Sequence, residues 1–206
     1  MNTDFKENLK KYYNTEAEVR NVEAGKTDWK IEVRKEFFDL LARENKKTFL
    51  ELGSGAGYDS QFFMNNGLAV TAVDISREMA AKCREKGIET YELDYYDLSS
   101  LNRKFDSVYA INTLLHVPKN DLLKVLREID SVLESDGLFY MGLYGGDDVE
   151  KEWVKGDISD APRFFAFYSA EYLRSVLDKI FKIESFKTFP VNDGRDIFHS
   201  VILRKK

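Results

Sequence analysis

Apolar positions along this chain switch repeatedly between helical spacing and short continuous runs. Trp29, Val33, Phe37, Leu40 and Leu41 recur at helical intervals, and the short run Thr48–Leu52 then predicts a strand. A glycine-rich turn and a helical stretch through Phe62, Phe63 and Met64 follow, closed by Asn66-Gly67. Leu68–Val73 reads as a second strand, Ser76–Lys86 as a helix and Ile88–Leu93 as a third strand. Phe105–Ile111 predicts a fourth strand. Leu122, Val125, Leu126, Ile129 and Leu133 mark one face of a helix opened by Pro118 and Asn120 and ended by Asp136-Gly137. Leu138–Leu143 is the fifth strand. Ser169 can cap a helix carrying Tyr172, Leu173, Val176 and Leu177, and Phe181–Thr188 and Ile197–Leu203 are late strands.

Strands separated by helices of crossover length predict an α/β fold, a mostly parallel sheet covered on both faces. Ligands bind such sheets beyond the carboxyl ends of the strands. The stretch from Gly145 to Ala170 breaks the rhythm with Gly146-Asp147-Asp148, Gly156-Asp157 and Ala161-Pro162. It predicts a long excursion overhanging the ligand end, and long loops tend to carry function.

At 206 residues the length suits one domain. The expected divisions are an N-terminal helical cover (1–45), a cofactor-binding core (46–144), and a substrate-side loop with the last two strands (145–206). The single Cys83 cannot form an internal disulfide, and no Cys/His cluster has metal-ligand spacing, so the sequence predicts a reducing, cytoplasmic setting and no metal. No apolar run reaches the roughly 18 residues that span a bilayer, which argues against a membrane protein. A net charge of -5 argues against a nucleic-acid partner. Nothing in the pattern specifies an oligomeric state.

The chemistry begins at Glu51-Leu52-Gly53-Ser54-Gly55-Ala56-Gly57, where a strand hands over to a helix. Glycines there permit a tight turn and let a ligand lie against backbone N–H groups at the helix start. The spacing is G-x-G-x-G, and Tyr58 stands where a dinucleotide fingerprint wants a small third residue. Glu51 would repel a pyrophosphate but hold an ammonium group. Asp74, 21 residues after Gly53, ends the second strand, the place for an acid that accepts ribose hydroxyls. Asp94 follows the third strand and could accept from an exocyclic amino group, although Asp97 is close enough to serve instead. An ammonium, a ribose and an adenine are parts of S-adenosylmethionine.

In order, ELGSGAGYDS, VTAVDIS, ELDYYDL, FDSVYAINTLLHVP and LESDGLFYMGLY resemble the successive motifs of class I S-adenosylmethionine-dependent methyltransferases, over about 47–144. The resemblance implies a Rossmann-like three-layer sandwich, with a seven-stranded sheet of order 3-2-1-4-5-7-6 and strand seven antiparallel. It also implies that Glu51, Gly53, Ser54, Gly55 and Gly57 surround the methionine part. Asp74 with Ile75 would take the ribose, Asp94 with Tyr95 would flank the adenine, and Asn112–His116 would approach the sulfonium and the acceptor. The Asn/Asp-Pro-Pro-aromatic signature of base and amide methylation is missing after strand four, where the chain reads Asn112-Thr113-Leu114-Leu115-His116. A small-molecule acceptor is the expectation.

His116 is the candidate catalytic group, placed to take a proton or orient the acceptor. His199 is expected to be structural. Tyr12, Tyr13 and Trp29 precede the core and either pack a helix or cover a sulfonium through their ring faces. Arg163 with Phe165 is a candidate acceptor contact, or a loop anchor. Rival readings are a nicotinamide-dependent oxidoreductase and a non-catalytic cofactor-binding scaffold.

Overall fold

The computed structural model describes residues 4–23, 28–154, 159–192, 194 and 196–206. Helices α1 (Asp4–Glu23) and α2 (Asp28–Arg43) come first. The alternating core follows: β1 (Thr48–Leu52), α3 (Tyr58–Asn65), β2 (Ala69–Asp74), α4 (Arg77–Glu85), β3 (Glu89–Glu92), β4 (Phe105–Ile111), α5 (Lys119–Ser131) and β5 (Leu133–Gly145). The chain ends with β6 (Val149–Trp153), β7 (Arg163–Phe167), α6 (Ala170–Leu177), β8 (Phe181–Val191) and β9 (Asp196–Lys205).

Seven strands form one sheet of order β3-β2-β1-β4-β5-β9-β8, a Rossmann-like α/β arrangement. β1 to β5 pair in parallel, and β9 runs antiparallel to both β5 and β8. The order departs from the expected 3-2-1-4-5-7-6 because two further strands precede the last pair. Those strands, β6 and β7, form an antiparallel hairpin in the predicted excursion, which is therefore not a loop throughout. The buried Ala166 on one face of β7 and the stacked Phe165 and Phe167 on the other give the strand apolar groups to pack. The predicted turn Gly156-Asp157 lies outside the described residues.

Period-two alternation divides the core between the faces of the sheet. Phe49, Tyr109, Leu138 and Tyr140 pack against Val33, Phe37 and Leu41 of α2 and Phe63 of α3. The rings stack closely, with centroids 4.1 Å apart for Phe49–Phe63 and 4.8 Å for Tyr109–Tyr140. Leu50, Leu52, Val108, Phe139 and Met141 face the other way, onto Leu122, Val125, Leu126 and Ile129 of α5 and Leu173 and Leu177 of α6.

A second boundary also differs. Asp136-Gly137 does not end the helix; it lies inside β5, where the partner of Phe105 is Leu133 but that of Ser107 is Leu138. Asp136 takes φ 62°, a left-handed conformation that Asp tolerates, so the irregularity is absorbed without stopping the strand. The predicted Ser169 cap is present, its hydroxyl accepting from the Tyr172 N–H.

Strand order reverses between β1 and β4, so the carboxyl ends of those neighbours open a crevice. Helix α1 packs on α4 and β7. No described helix is long and apolar enough to cross a membrane.

Candidate active site

A cavity of about 520 Å³ occupies this crevice. Its floor comes from three strand ends: Gly53, Ser54 and Gly55 after β1, Asp74 and Ile75 at β2, and Asn112, Thr113 and His116 after β4. Its roof comes from Tyr13, Glu16 and Arg20 of α1 and Lys30 and Arg34 of α2.

The turn after β1 is held by backbone. The Gly53 and Ser54 N–H groups both donate to the Val73 carbonyl, at 2.8 and 3.2 Å. Asp74 then accepts from the Gly55 N–H and the Ser76 N–H, each at 2.8 Å, which joins the glycine turn to the start of α4. Burial raises the Asp74 carboxyl from 3.8 to about 6, against those two N–H donors and the charge of Arg20. Glu51 is buried on the Phe49 side of β1 and accepts from the Ser60 hydroxyl. Burial, reinforced by the nearby charge of Asp59, holds its carboxyl well above the ordinary carboxylate range. Arg34 pairs with Asp59 at 2.8 Å.

His116 is gripped from two sides. Its Nδ1 lies 2.6 Å from the Phe164 carbonyl oxygen and its Nε2 2.7 Å from the Tyr13 hydroxyl. A carbonyl only accepts, so Nδ1 carries the proton and Nε2 accepts from Tyr13. Burial lowers the imidazole from 6.5 to about 4, helped by the charges of Arg163 and Arg20 and opposed by the Phe164 carbonyl.

Of the residues singled out in the sequence, Glu51, Gly53, Ser54, Gly55, Asp74, Ile75, Tyr95, Asn112, Tyr13 and His116 come together on this wall. Gly57, Asp94, Trp29, Arg163, Phe165, Tyr12 and His199 do not line it. Gly57 supports from behind, since a Cβ there would meet Cys83 Sγ at 2.7 Å. Asp94 pairs with Lys6 at 2.6 Å and accepts from the Tyr96 N–H at 3.0 Å. Trp29 packs on Phe198, ring centroids 4.3 Å apart, beside β5 and β9. Arg163 lies between the rings of Tyr12 and Phe165, 4.1 and 5.0 Å from their centroids, the anchor arrangement. Phe165 also backs the His116 ring at 4.9 Å. Tyr12 is fully buried and donates to Glu16. His199 is bonded to Thr188 at 2.9 Å and to the Tyr168 carbonyl at 3.1 Å.

Sequence reasoning missed Glu16, Arg20, Lys30, Arg34 and Asp59 in the wall, while Thr113 falls in the segment Asn112–His116 that it placed there. Glu16/Arg20 and Lys30/Arg34 are spaced i, i+4, a helical neighbour signal. That signal is the same on a solvated helix face.

Residues 50–141 match the family model described as a methyltransferase domain. The matched segment, somewhat under half of the chain, is thus similar to a methyltransferase domain, and it holds the glycine turn and the acids at the strand ends. Malonyl-[acyl-carrier protein] O-methyltransferase of Hamiltonella defensa is 30% identical over 136 residues, 64% of this chain and 51% of that protein. A tabtoxin biosynthesis enzyme of Pseudomonas amygdali is 28% identical over 71% of this chain and 59% of its own. The chain thus spans about half the length of such curated relatives. Among solved structures, Burkholderia thailandensis 1,6-didemethyltoxoflavin-N1-methyltransferase, with bound 1,6-didemethyltoxoflavin and S-adenosylhomocysteine, shares the fold at TM-score 0.70 and 21% identity, over 98% of this chain and 87% of that one. Magnesium protoporphyrin IX methyltransferase from Synechocystis does so at TM-score 0.71 and 16% identity, over 98% of both chains.

Proposed function

We propose that this methyltransferase domain moves the methyl group of S-adenosylmethionine to a small-molecule acceptor. The observation that carries the reading is the pair Glu51 and Asp74, two buried carboxylates at the ends of neighbouring parallel strands, on either side of a glycine turn in one cavity. The residues also fit the cofactor by what they lack. Ser54 Oγ and Asn112 Oδ1 are buried with no partner, and both belong to residues of the cavity wall.

In this reading Glu51 holds the ammonium group beside Gly53 and Gly55, with Gly57 supporting the turn from behind, and Asp74 with Ile75 holds the ribose hydroxyls. Tyr95 flanks the adenine, and Asn112 and Tyr13 lie toward the reacting end, while Asp94, paired to Lys6, is left out of the wall. The cofactor supplies an electrophilic methyl on a sulfonium, so the chain's task is to bind, align and exclude water. Helices α1 and α2 do the excluding: Tyr13, Arg20, Lys30 and Arg34 close the cavity from above. Residues 1–206 act as a single domain, with 1–45 the cover, 46–144 the core and 145–206 the acceptor side. A cytoplasmic setting suits a chain whose one cysteine, Cys83, is buried.

Relatives and neighbours include O-, N- and C-methyltransferases, so the acceptor atom has to be argued from this site.

The test is calorimetry and thermal melting with S-adenosylhomocysteine and, separately, NADH. S-adenosylhomocysteine at 100 times its dissociation constant should add about 2.7 kcal/mol of stability. Stabilisation by NADH alone would replace this reading with an oxidoreductase.

A further inference from the structure

Among the described residues, three cations and four acids line the cavity. Arg20 of α1 pairs with Glu16, one turn away, and Arg34 of α2 pairs with Asp59 at the start of α3. Glu51 and Asp74 are assigned to the ammonium and the ribose of the cofactor. Lys30 is left over. Its ammonium makes no hydrogen bond or ion pair with any described residue, and lies 5.5 Å from the centre of the neighbouring Trp29 ring. The acid whose charge bears on it, Asp59, is already paired with Arg34, and Arg20 repels it. The side chain is half-buried, and that burial pushes the ammonium below the ordinary lysine value. A cation drawn out of water without a counter-charge is costly, and a ligand that brings the charge recovers the cost.

Position separates Lys30 from the carboxylate of the cofactor itself. That carboxylate is bonded to the same carbon as the ammonium, so a cofactor held at Glu51 keeps it near Glu51. Arg34 stands there: its partner Asp59 acts electrostatically on Glu51, and its own Nε is a buried donor with no partner. Lys30 lies one turn back along α2, about 6 Å by helix rise. The start of α2 lies over the other side of the crevice, because Trp29 packs on Phe198 and Tyr144, 4.3 and 6.3 Å between ring centroids, and those two are partners in the β5–β9 ladder. Lys30 therefore lines the cavity from the β5 side, beyond the end of β4 and its Asn112.

We infer that the acceptor is a small carboxylic acid bound as its anion, and that Lys30 is the residue that selects it. The inference rests on the methyl-transfer reading. One ammonium balances one charge, which suits a carboxylate better than a doubly charged phosphate. A lysine offers three donors on a flexible stem, so it reads the charge of the acceptor rather than a planar outline, as an arginine fork would. The bound anion is also attracted by the sulfonium of the loaded cofactor, a charge that disappears once the methyl has left.

The experiment uses the full chain saturated with S-adenosylhomocysteine and a panel of small aromatic, hydroxy and amino carboxylic acids, each matched with its neutral primary amide. Binding is measured by calorimetry and ligand-observed NMR for wild type, Lys30→Met and Lys30→Gln, two neutral replacements so that misfolding of one leaves the other. Expected is at least one acid that binds wild type roughly 10- to 100-fold more tightly than its amide, the scale of a charge-assisted hydrogen bond. Both variants should bring that acid down to the level of its amide while changing S-adenosylhomocysteine affinity by less than about threefold. For a panel member that is methylated, the variants should raise KM more than they lower kcat, as expected when a group holds substrate and transition state alike.

Acids and amides that bind alike, a panel in which no acid binds, or a preference that survives in both variants overturns the inference. So does a tenfold or greater loss of S-adenosylhomocysteine affinity in the variants with 5′-methylthioadenosine, which lacks the amino-acid part, bound as before: Lys30 would then hold the carboxylate of the cofactor. Failure of S-adenosylhomocysteine to bind wild type would instead refute the methyl-transfer reading itself.

Discussion

Gly53 and Thr113 are in contact at the crevice between β1 and β4: a Cβ on Gly53 would lie 2.4 Å from Thr113 Oγ1 and 2.6 Å from its Cγ2. The same hydroxyl donates to the Leu52 carbonyl at 3.0 Å, so the turn after β1 and the segment after β4 are fitted to each other. Gly53 also has φ 63°, a conformation costly for a residue with a Cβ. Gly53→Ala should therefore lower stability by about 2–4 kcal/mol, from left-handed backbone and overpacking together. Thr113→Ala should recover part of the loss in a double-mutant cycle read by denaturant unfolding. Independent, additive effects would mean that the contact does not couple the two segments.

Asp74 should give cofactor binding a pH dependence of known sign. Ribose hydroxyls donate, so the ionised form binds, and affinity for S-adenosylhomocysteine should rise as pH passes through about 6. Stability of the ligand-free protein should run the other way. A carboxyl raised from 3.8 to about 6 adds stability below about 4 that is lost as pH climbs through 6, on the order of 3 kcal/mol at most. Calorimetry from acidic to neutral pH on wild type and Asp74→Asn isolates this group from Glu51. The Asn variant should lose roughly 1.5–3 kcal/mol of affinity at neutral pH and flatten the profile. Wild-type affinity in the folded variant would make Asp74 only a link between the turn and α4.

Helix α1 is tied to the carboxyl ends of the strands by polar contacts along its length. Lys6 reaches Asp94, Tyr13 reaches His116, and Asn14 Oδ1 accepts from the Ser76 hydroxyl at 2.7 Å. Its amides should exchange faster than those of β1 and β4 in the free protein and slow on S-adenosylhomocysteine binding. Asn14→Ala should speed α1 exchange by the equivalent of about 1 kcal/mol without changing the sheet. Identical exchange of α1 with and without ligand would remove it as a cover.

Arg204 at the end of β9 is the other long-range clamp. It bonds Glu44 twice, at 2.9 and 2.7 Å, and Glu184 at 2.8 Å, which joins the end of α2 to the last two strands. The guanidinium holds the carboxyls of Glu44 and Glu184 below the usual range. Lowered carboxyls contribute stability that is present above their unfolded values and lost as pH falls. Arg204→Met should cost about 1–3 kcal/mol at neutral pH and much less under acid, checked by urea unfolding at both. An equal loss at both pH values would assign the effect to packing of the side chain.

Element type was legible where periodicity was strong and local. Thr48–Leu52 and Phe105–Ile111 are strands at the residues expected, because both are short apolar runs bounded by polar chain. Legibility failed where side chains of mixed character fold back. The stretch after Gly145 carries turn residues that read as loop, yet Arg163–Phe167 finds a partner in Val149–Trp153. Such pairing depends on a second segment that the first does not announce.

The site divides in the same way. Glu51, the glycine turn and Asp74 could be read from the sequence alone, because a strand end followed by glycines, or by an acid, is a feature of contiguous residues. Only the tertiary structure decided that Tyr13 meets His116 across 103 positions, that Trp29 packs on Phe198 away from the cavity, and that Arg20, Lys30 and Arg34 line it. A periodic pattern records how one element divides its own faces between water and core. It does not record which distant face it meets, and a charged residue looks the same in sequence whether its partner is water, a carboxylate or a ligand.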